Sequence, residues 1–167
     1  MEEAENVRIS VRNLVEFILR SGDIDNSKGS FSDPDAMQMG SRLHRKIQGR
    51  MGSNYQPEVF LTGTFPFPGD GISITVEGRA DGIIQENSGM TVDEIKGVVR
   101  SLDYLTEPVP VHLAQAKCYA FLYALSHGQE SMGVQLTYCN LETEEVRRFR
   151  QEYSMEVLQD WFDGVIG

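Results

Sequence analysis

Two short stretches put charged side chains where strands are expected: "GRADG", residues 78–82, and "TVDEIKG", residues 91–97. Alternate side chains of a strand share a face, so Glu94 and Lys96 point one way while Asp93 and Ile95 point the other. Asp81 ends its strand, and an antiparallel hairpin through "QENSGM" brings it near the strand that carries Glu94. Two carboxylates converging on one point beside a single lysine are costly unless a cation sits between them. Hard oxygen ligands select Mg²⁺ or Mn²⁺. Each residue also has an ordinary reading. Glu94 and Lys96 suit a same-face ion pair on a half-exposed strand, and Asp81 before Gly82 suits turn chemistry.

Three more residues stand out. His44 lies in "MQMGSRLHRKIQGR", where Gly40, four residues earlier, would let another element approach closely. From Ala36 to Pro57 there is no acidic residue, while Arg42, Arg45, Lys46 and Arg50 cluster there, so a local anion site is open. A lone helical histidine is otherwise a surface or capping residue. Gln115 and Tyr119, four apart in "HLAQAKCYAFLYA", share one face of a helix that is apolar nearly all round. Packing accounts for Tyr119, but a buried glutamine needs a hydrogen-bond partner.

The elements that must hold these residues follow from periodicity. Val11, Leu14, Val15, Ile18 and Leu19 mark a helix over about 11–20, with Ser10 as N-cap and Gly22 after its end. "DIDNSKGSFSDPDA" reads as a loop into a second helix that starts near Pro34 or Ala36 and carries the basic cluster. "VFLTGTFPF" and "ISITVEGRADGII", separated by "PGDG", form with "GMTVDEIKGVV" three strands of an antiparallel meander. An apolar helix covers about 111–125, "GVQLTYCNLET" is a fourth strand, and "TEEVRRFRQEYSMEVLQDWF" is a final helix in which Val146, Phe149, Tyr153, Val157 and Trp161 recur every three or four residues. The order ααβββαβα fits an α/β domain with a central sheet of about four strands flanked by helices.

Composition narrows the classes. At 167 residues and 40% apolar, the chain is one globular domain, residues 1–167. A net charge of −10 argues against nonspecific polyanion binding by the surface as a whole. No run approaches the ~18 apolar residues of a membrane span, and the acidic start lacks a secretory pattern, so a cytoplasmic location without a membrane partner is expected. Cys118 and Cys139 fall in no metal-binding spacing and read as buried free thiols.

In order, "GSRLH", "GRADG", "DEIKG" and "QAKCY" resemble the motifs of the PD-(D/E)xK nucleases, in the RecB-like branch that includes helicase-linked exonucleases. The resemblance spans residues 40–119 and implies a restriction-endonuclease-like core. It implies that Asp81 and Glu94 bind Mg²⁺ or Mn²⁺, with His44 and the Ile95 carbonyl as further ligands. Lys96 would orient or polarise the attacking water, and Gln115 and Tyr119 would steady the active site and the nucleic-acid backbone. Asp93 faces the wrong side and has no such role. The implied reaction is phosphodiester hydrolysis in DNA, single-stranded or with single-stranded ends. Many members of this branch carry four cysteines for an iron-sulfur cluster, one just after the first helix, where this chain has "RSGDID"; no cluster is expected here. "VRISVRNLVEFILRSGDID" and "EPVPVHLAQAKCYAF" look like the N-terminal nuclease region of bacterial DinG- or XPD-like helicases, which implies a domain excised from a longer protein, a helicase partner in cis or trans, and work in DNA repair. The alternative is a noncatalytic nuclease-fold module that binds DNA or a helicase.

Overall fold

The computed structural model describes residues 5–22, 34–66 and 71–166; the expected loop at 23–33, the segment after the first helix and most of the "PGDG" turn lie outside them. Six strands form one sheet: β1 (Glu5–Ser10), β2 (Tyr55–Pro66), β3 (Ile72–Glu86), β4 (Gly89–Val98), β5 (Ser131–Asn140) and β6 (Val146–Ser154). The helices are α1 (Val11–Gly22), α2 (Pro34–Arg50), α3 (Pro110–His127) and α4 (Met155–Ile166), with a 3-10 turn at Leu102–Tyr104. Strand order is β1-β3-β4-β5-β6, and β2 pairs with the other edge of β3. The expected meander is present, since β2 and β4 both run antiparallel to β3. β4 and β5 are parallel and joined through α3.

α1 and α3 lie where their capping and punctuation put them. Ser10 Oγ accepts the Asn13 N–H at 3.0 Å and starts α1. Gly128 ends α3 in the left-handed region, φ 64°, as a C-cap does. Apolar residues of α1, α3 and α4 meet one face of the sheet in the main core, which includes Val11, Val76, Phe121, Leu136 and Phe162. Phe121 and Phe162 stack with ring centroids 4.4 Å apart. On the opposite face α2 seals a smaller cluster of Leu43, Ile47, Ile95 and Cys139. Both cysteines are buried and free, and burial pushes the Cys118 thiol up to about 12.

Two sequence expectations fail here. β1 is an additional strand, parallel to β3 from Glu5↔Ile72 to Ser10↔Glu77. Its residues are mostly exposed, and Val7 and Ile9 alternate with polar neighbours over too few positions to stand out before the helix that follows. The expected final helix is instead strand β6 followed by α4. Its three-and-four spacing has a different origin: Val146 packs against the α2-side cluster, whereas Phe149 and Tyr153 pack against the main core. Apolar residues serving opposite faces of one strand thus imitate a helical stripe. The reversal before β6 is set by Asn140, whose Oδ1 accepts the Glu142 and Thr143 N–H groups at 2.8 and 2.9 Å.

Candidate active site

The site begins with a fault in the ladder. On one edge of β3, pairing with β1 stops at Glu77 and pairing with β4 starts only at Gly82. Gly78 to Asp81 therefore have no ladder partner on that edge among the described residues, and these are the first four residues of "GRADG". Alternation slips at the same place, because Ala80 and Ile83 both point into the main core. Glu58, opposite this point on β2, has φ 56°. β3 runs on to Glu86, so Asp81 lies within the strand rather than at its end.

Side chains fill the opening. Asp81 Oδ2 accepts the Ile95 N–H at 2.7 Å, replacing the backbone acceptor that the parting strands withdraw. Tyr119 comes down from α3 onto Gly78, where a Cβ would lie 2.9 Å from its hydroxyl oxygen; only glycine leaves room. From α2, His44 Nδ1 lies 3.5 Å from Asp81 Oδ1, and Gln48 Nε2 donates to the Asp81 backbone carbonyl at 2.8 Å. Lys96 Nζ is 3.5 Å from Glu94 Oε1. Glu94 Oε2 and Gln115 Oε1 are buried and have no hydrogen-bond partner among the described residues. The partner that a buried glutamine calls for is thus missing on its oxygen.

The two carboxyls differ in proton affinity. For Asp81, burial favours the neutral acid, yet His44 and the Ile95 N–H outweigh it and hold the group below its ordinary range. Burial first, and then the Asp81 charge, push Glu94 well above the usual carboxylate range, with Lys96 offsetting only part. Of the two, Glu94 is therefore the one that takes up a proton more readily. A cation can take that proton's place. The chemistry of the donors fits a hard divalent ion, because Glu94 keeps a free buried oxygen beside an ionised Asp81. His44, Asp81 and Glu94 are neighbours without closing a cage: among the described residues, no three His, Cys, Asp or Glu side chains surround a common position. Mg²⁺ typically needs one or two protein carboxylates and keeps several waters, so two suffice.

The structure brings Asp81, Glu94, Lys96 and His44 together, with Tyr119 at Gly78. Gly40 does not act as expected. Among the described residues a Cβ there meets nothing within 4 Å, and α2 approaches the sheet through Leu43 and Ile47. Asp93 lies on the α2 side, as alternation requires. It accepts hydrogen bonds from Tyr55 at 2.9 Å, Gln135 at 3.1 Å and Thr137 at 2.5 Å. Tyr55 crosses so close above Gly82 that a Cβ there would lie 2.0 Å from its ring. Sequence reasoning passed over Gln48, Tyr55 and His112. Gln48 was legible as the residue one helical turn beyond His44. Tyr138 accepts the Val109 N–H at 2.9 Å and lies 2.9 Å from His112 Nδ1, while burial, and then Lys96, push that imidazole down to about 3.

The mixed sheet, its meander and the helices on both faces define a restriction-endonuclease-like α/β core. The same fold occurs in the crystal structure of SSO0001, 20% identical, with a TM-score of 0.62 over 99% of this chain and 77% of that one. It occurs also in an alkaline exonuclease (LHK-Exo) from Laribacter hongkongensis, 13% identical, with a TM-score of 0.51 over 95% of this chain and 84% of the other. No protein-family model matches the sequence, and no curated protein does.

Proposed function

We propose that the chain is a divalent-metal-dependent nuclease that hydrolyses phosphodiester bonds in DNA. The observation that carries this reading is the pair of Asp81 and buried Glu94 at the ladder fault, with Lys96 beside them and one Glu94 oxygen free. The fold shared with an alkaline exonuclease supports it. Asp81 and Glu94 would hold Mg²⁺ or Mn²⁺, with the His44 imidazole and the Ile95 carbonyl as further ligands. When bound, the cation supplies a nucleophile at neutral pH and offsets charge on the phosphoryl oxygens. Lys96 donates to the attacking water or to the phosphate oxygen beside it and fixes the line of attack. Tyr119 and Gln115 steady the strand through hydroxyl and amide contacts to its backbone. Gln48, bonded to the Asp81 carbonyl, is a positioning residue for the whole fault.

We further propose that the domain acts with a helicase, in cis or in trans, in DNA repair in the cytoplasm. The charge of −10 favours such dependence, because the basic residues near the site are few and the rest of the surface repels DNA. The second reading is a noncatalytic module that binds DNA or a helicase, and of these two partners the charge favours the helicase. Among the described residues no helix is long and apolar enough to cross a membrane.

Cleavage of single- and double-stranded DNA, with Mn²⁺ or Mg²⁺ and with chelator, separates the readings. Metal-dependent cleavage that Lys96→Ala abolishes, with metal binding by calorimetry retained, is the expected result. No cleavage with either ion, or cleavage by Lys96→Ala at the wild-type rate, overturns the catalytic reading.

A further inference from the structure

α3 carries a third polar side chain in line with Gln115 and Tyr119. His112, three residues before Gln115 and seven before Tyr119, lies on the same helical face. At one end of this stripe Tyr119 presses on Gly78 of β3, and at the other His112 meets Tyr138 of β5, with Nδ1 and the hydroxyl oxygen 2.9 Å apart. β4 runs between those two strands, and Lys96 is the register partner of Tyr138, so both side chains share the α3 face. The stripe is about 10 Å long, about the two strand spacings from β3 to β5. Glu94 and Lys96 therefore lie beneath it, between Tyr119 and His112.

The contact with Tyr138 decides which imidazole nitrogen carries the hydrogen. The Tyr138 hydroxyl oxygen already accepts the Val109 N–H at 2.9 Å. Burial pushes this hydroxyl up to about 12, so it keeps its own hydrogen, and His112 Nδ1 is the acceptor in reach among the described residues. A neutral imidazole that accepts at Nδ1 donates from Nε2. Burial first, and then the Lys96 charge, push His112 down to about 3 and keep it neutral. The residue is half-buried, and its Nε2 has no hydrogen-bond partner among the described residues and is not sealed from solvent. An imidazolium here would repel Lys96, whereas an uncharged N–H can share an anion with it.

Resting on the nuclease reading above, we propose that His112 binds the DNA strand directly, its Nε2–H donating to a non-bridging oxygen of the phosphate next to the scissile one, on the β5 side of Lys96. Tyr138 and the Val109 N–H are the positioning groups behind it, because they fix the tautomer. A contact of this kind reads the backbone and not the bases, so it sets the register of the strand without sequence preference.

Two amide replacements separate the two nitrogens. The amide of asparagine reaches as far as Nδ1 and that of glutamine as far as Nε2, so His112→Asn keeps an acceptor for Tyr138 and loses the outer donor, while His112→Gln does the reverse. With the full chain and single-stranded DNA in Mn²⁺, His112→Asn should lower kcat/KM about 10- to 150-fold, the range for one hydrogen bond to a charged group, with Tm close to wild type. His112→Gln should lower Tm by about 2–4 °C, the shift for one lost hydrogen bond in a chain of this length, yet recover most of the activity. Binding by anisotropy in chelator gives a readout that needs no cleavage. A single methylphosphonate linkage, moved along the oligonucleotide, should weaken wild-type binding beside the cleaved position, and His112→Asn should lose its sensitivity there. Cleavage by His112→Asn at the wild-type rate, or His112→Gln no more active than His112→Asn, overturns the assignment and leaves the catalytic reading standing. No cleavage by the wild type overturns the catalytic reading. The assignment then survives if His112→Asn has lost sensitivity at one linkage, and falls if it has not.

Discussion

Asp93 and Glu94 are adjacent in sequence, both are buried, and both have carboxyls raised above their ordinary range by burial first. On the α2 side, Asp93 meets three donors, from Tyr55, Gln135 and Thr137, which tie β2, β4 and β5 together. On the α3 side, Glu94 has a lysine 3.5 Å away, an acid across the opening and one oxygen with nothing to bond. A fully satisfied buried acid fixes a fold; a half-satisfied one beside a second carboxylate stores an unmet demand for positive charge. One β-strand thus keeps structure on one face and chemistry on the other.

The largest effect should come from breaking the α3 side. Glu94→Gln should lower metal-dependent cleavage by about 10³-fold or more, about 4 kcal/mol of transition-state stabilisation, read as kcat/KM. The same change should raise Tm in metal-free buffer. Folding raises the Glu94 pKa, so its neutral form is favoured below the unfolded value of about 4.3, and that contribution is lost as pH climbs toward the folded value. The advantage of Glu94→Gln should therefore be absent in acid and grow with pH. A Tm difference that shrinks with pH would refute the account from burial and the neighbouring Asp81 charge.

Breaking the other side should do the reverse. Asp93→Ala strands three buried donors and should cost about 3 kcal/mol in urea denaturation. The milder Tyr55→Phe removes one hydrogen bond and should cost about 1 kcal/mol. In both, kcat/KM measured on the folded fraction should stay within a few-fold of wild type. Loss of activity as large as that of Glu94→Gln would show that the two faces are not separate.

The smallest effect sharpens the comparison within α2. Gly40 begins the "GSRLH" stretch, yet a Cβ there meets nothing within 4 Å among the described residues. Gly40→Ala should therefore stabilise the chain by about 0.5–1 kcal/mol through helix propensity, seen as a raised urea midpoint at constant m-value. Destabilisation would mean that a neighbour approaches this helix after all.

Much of the site was legible because its rules are local. Alternation separated Asp93 from Glu94 and Lys96, the three-four repeat put Gln115 and Tyr119 on one helical face, and turn residues bounded the meander. β1 and β6 were not legible. One is a mostly exposed strand recruited by the edge of β3, and the other divides its apolar residues between two cores. Gly78 and Gly82 were visible as residues, but the tyrosines that press on them come from α3 and β2.

Local rules alone separated the two faces of β4 and placed Gln115 with Tyr119 on α3, because these depend on backbone periods of two and 3.6 residues. They fixed two helix ends as well, since Ser10 and Gly128 act on their own neighbours. Only the tertiary structure decided where the ladder opens. That depends on β1 stopping at Glu77 and β4 starting at Gly82, which are pairings between segments far apart in the chain. With no partner strand at Gly78 to Asp81, a carboxylate takes over a backbone hydrogen bond to Ile95, and a second carboxyl is left beside it with an oxygen unpaired.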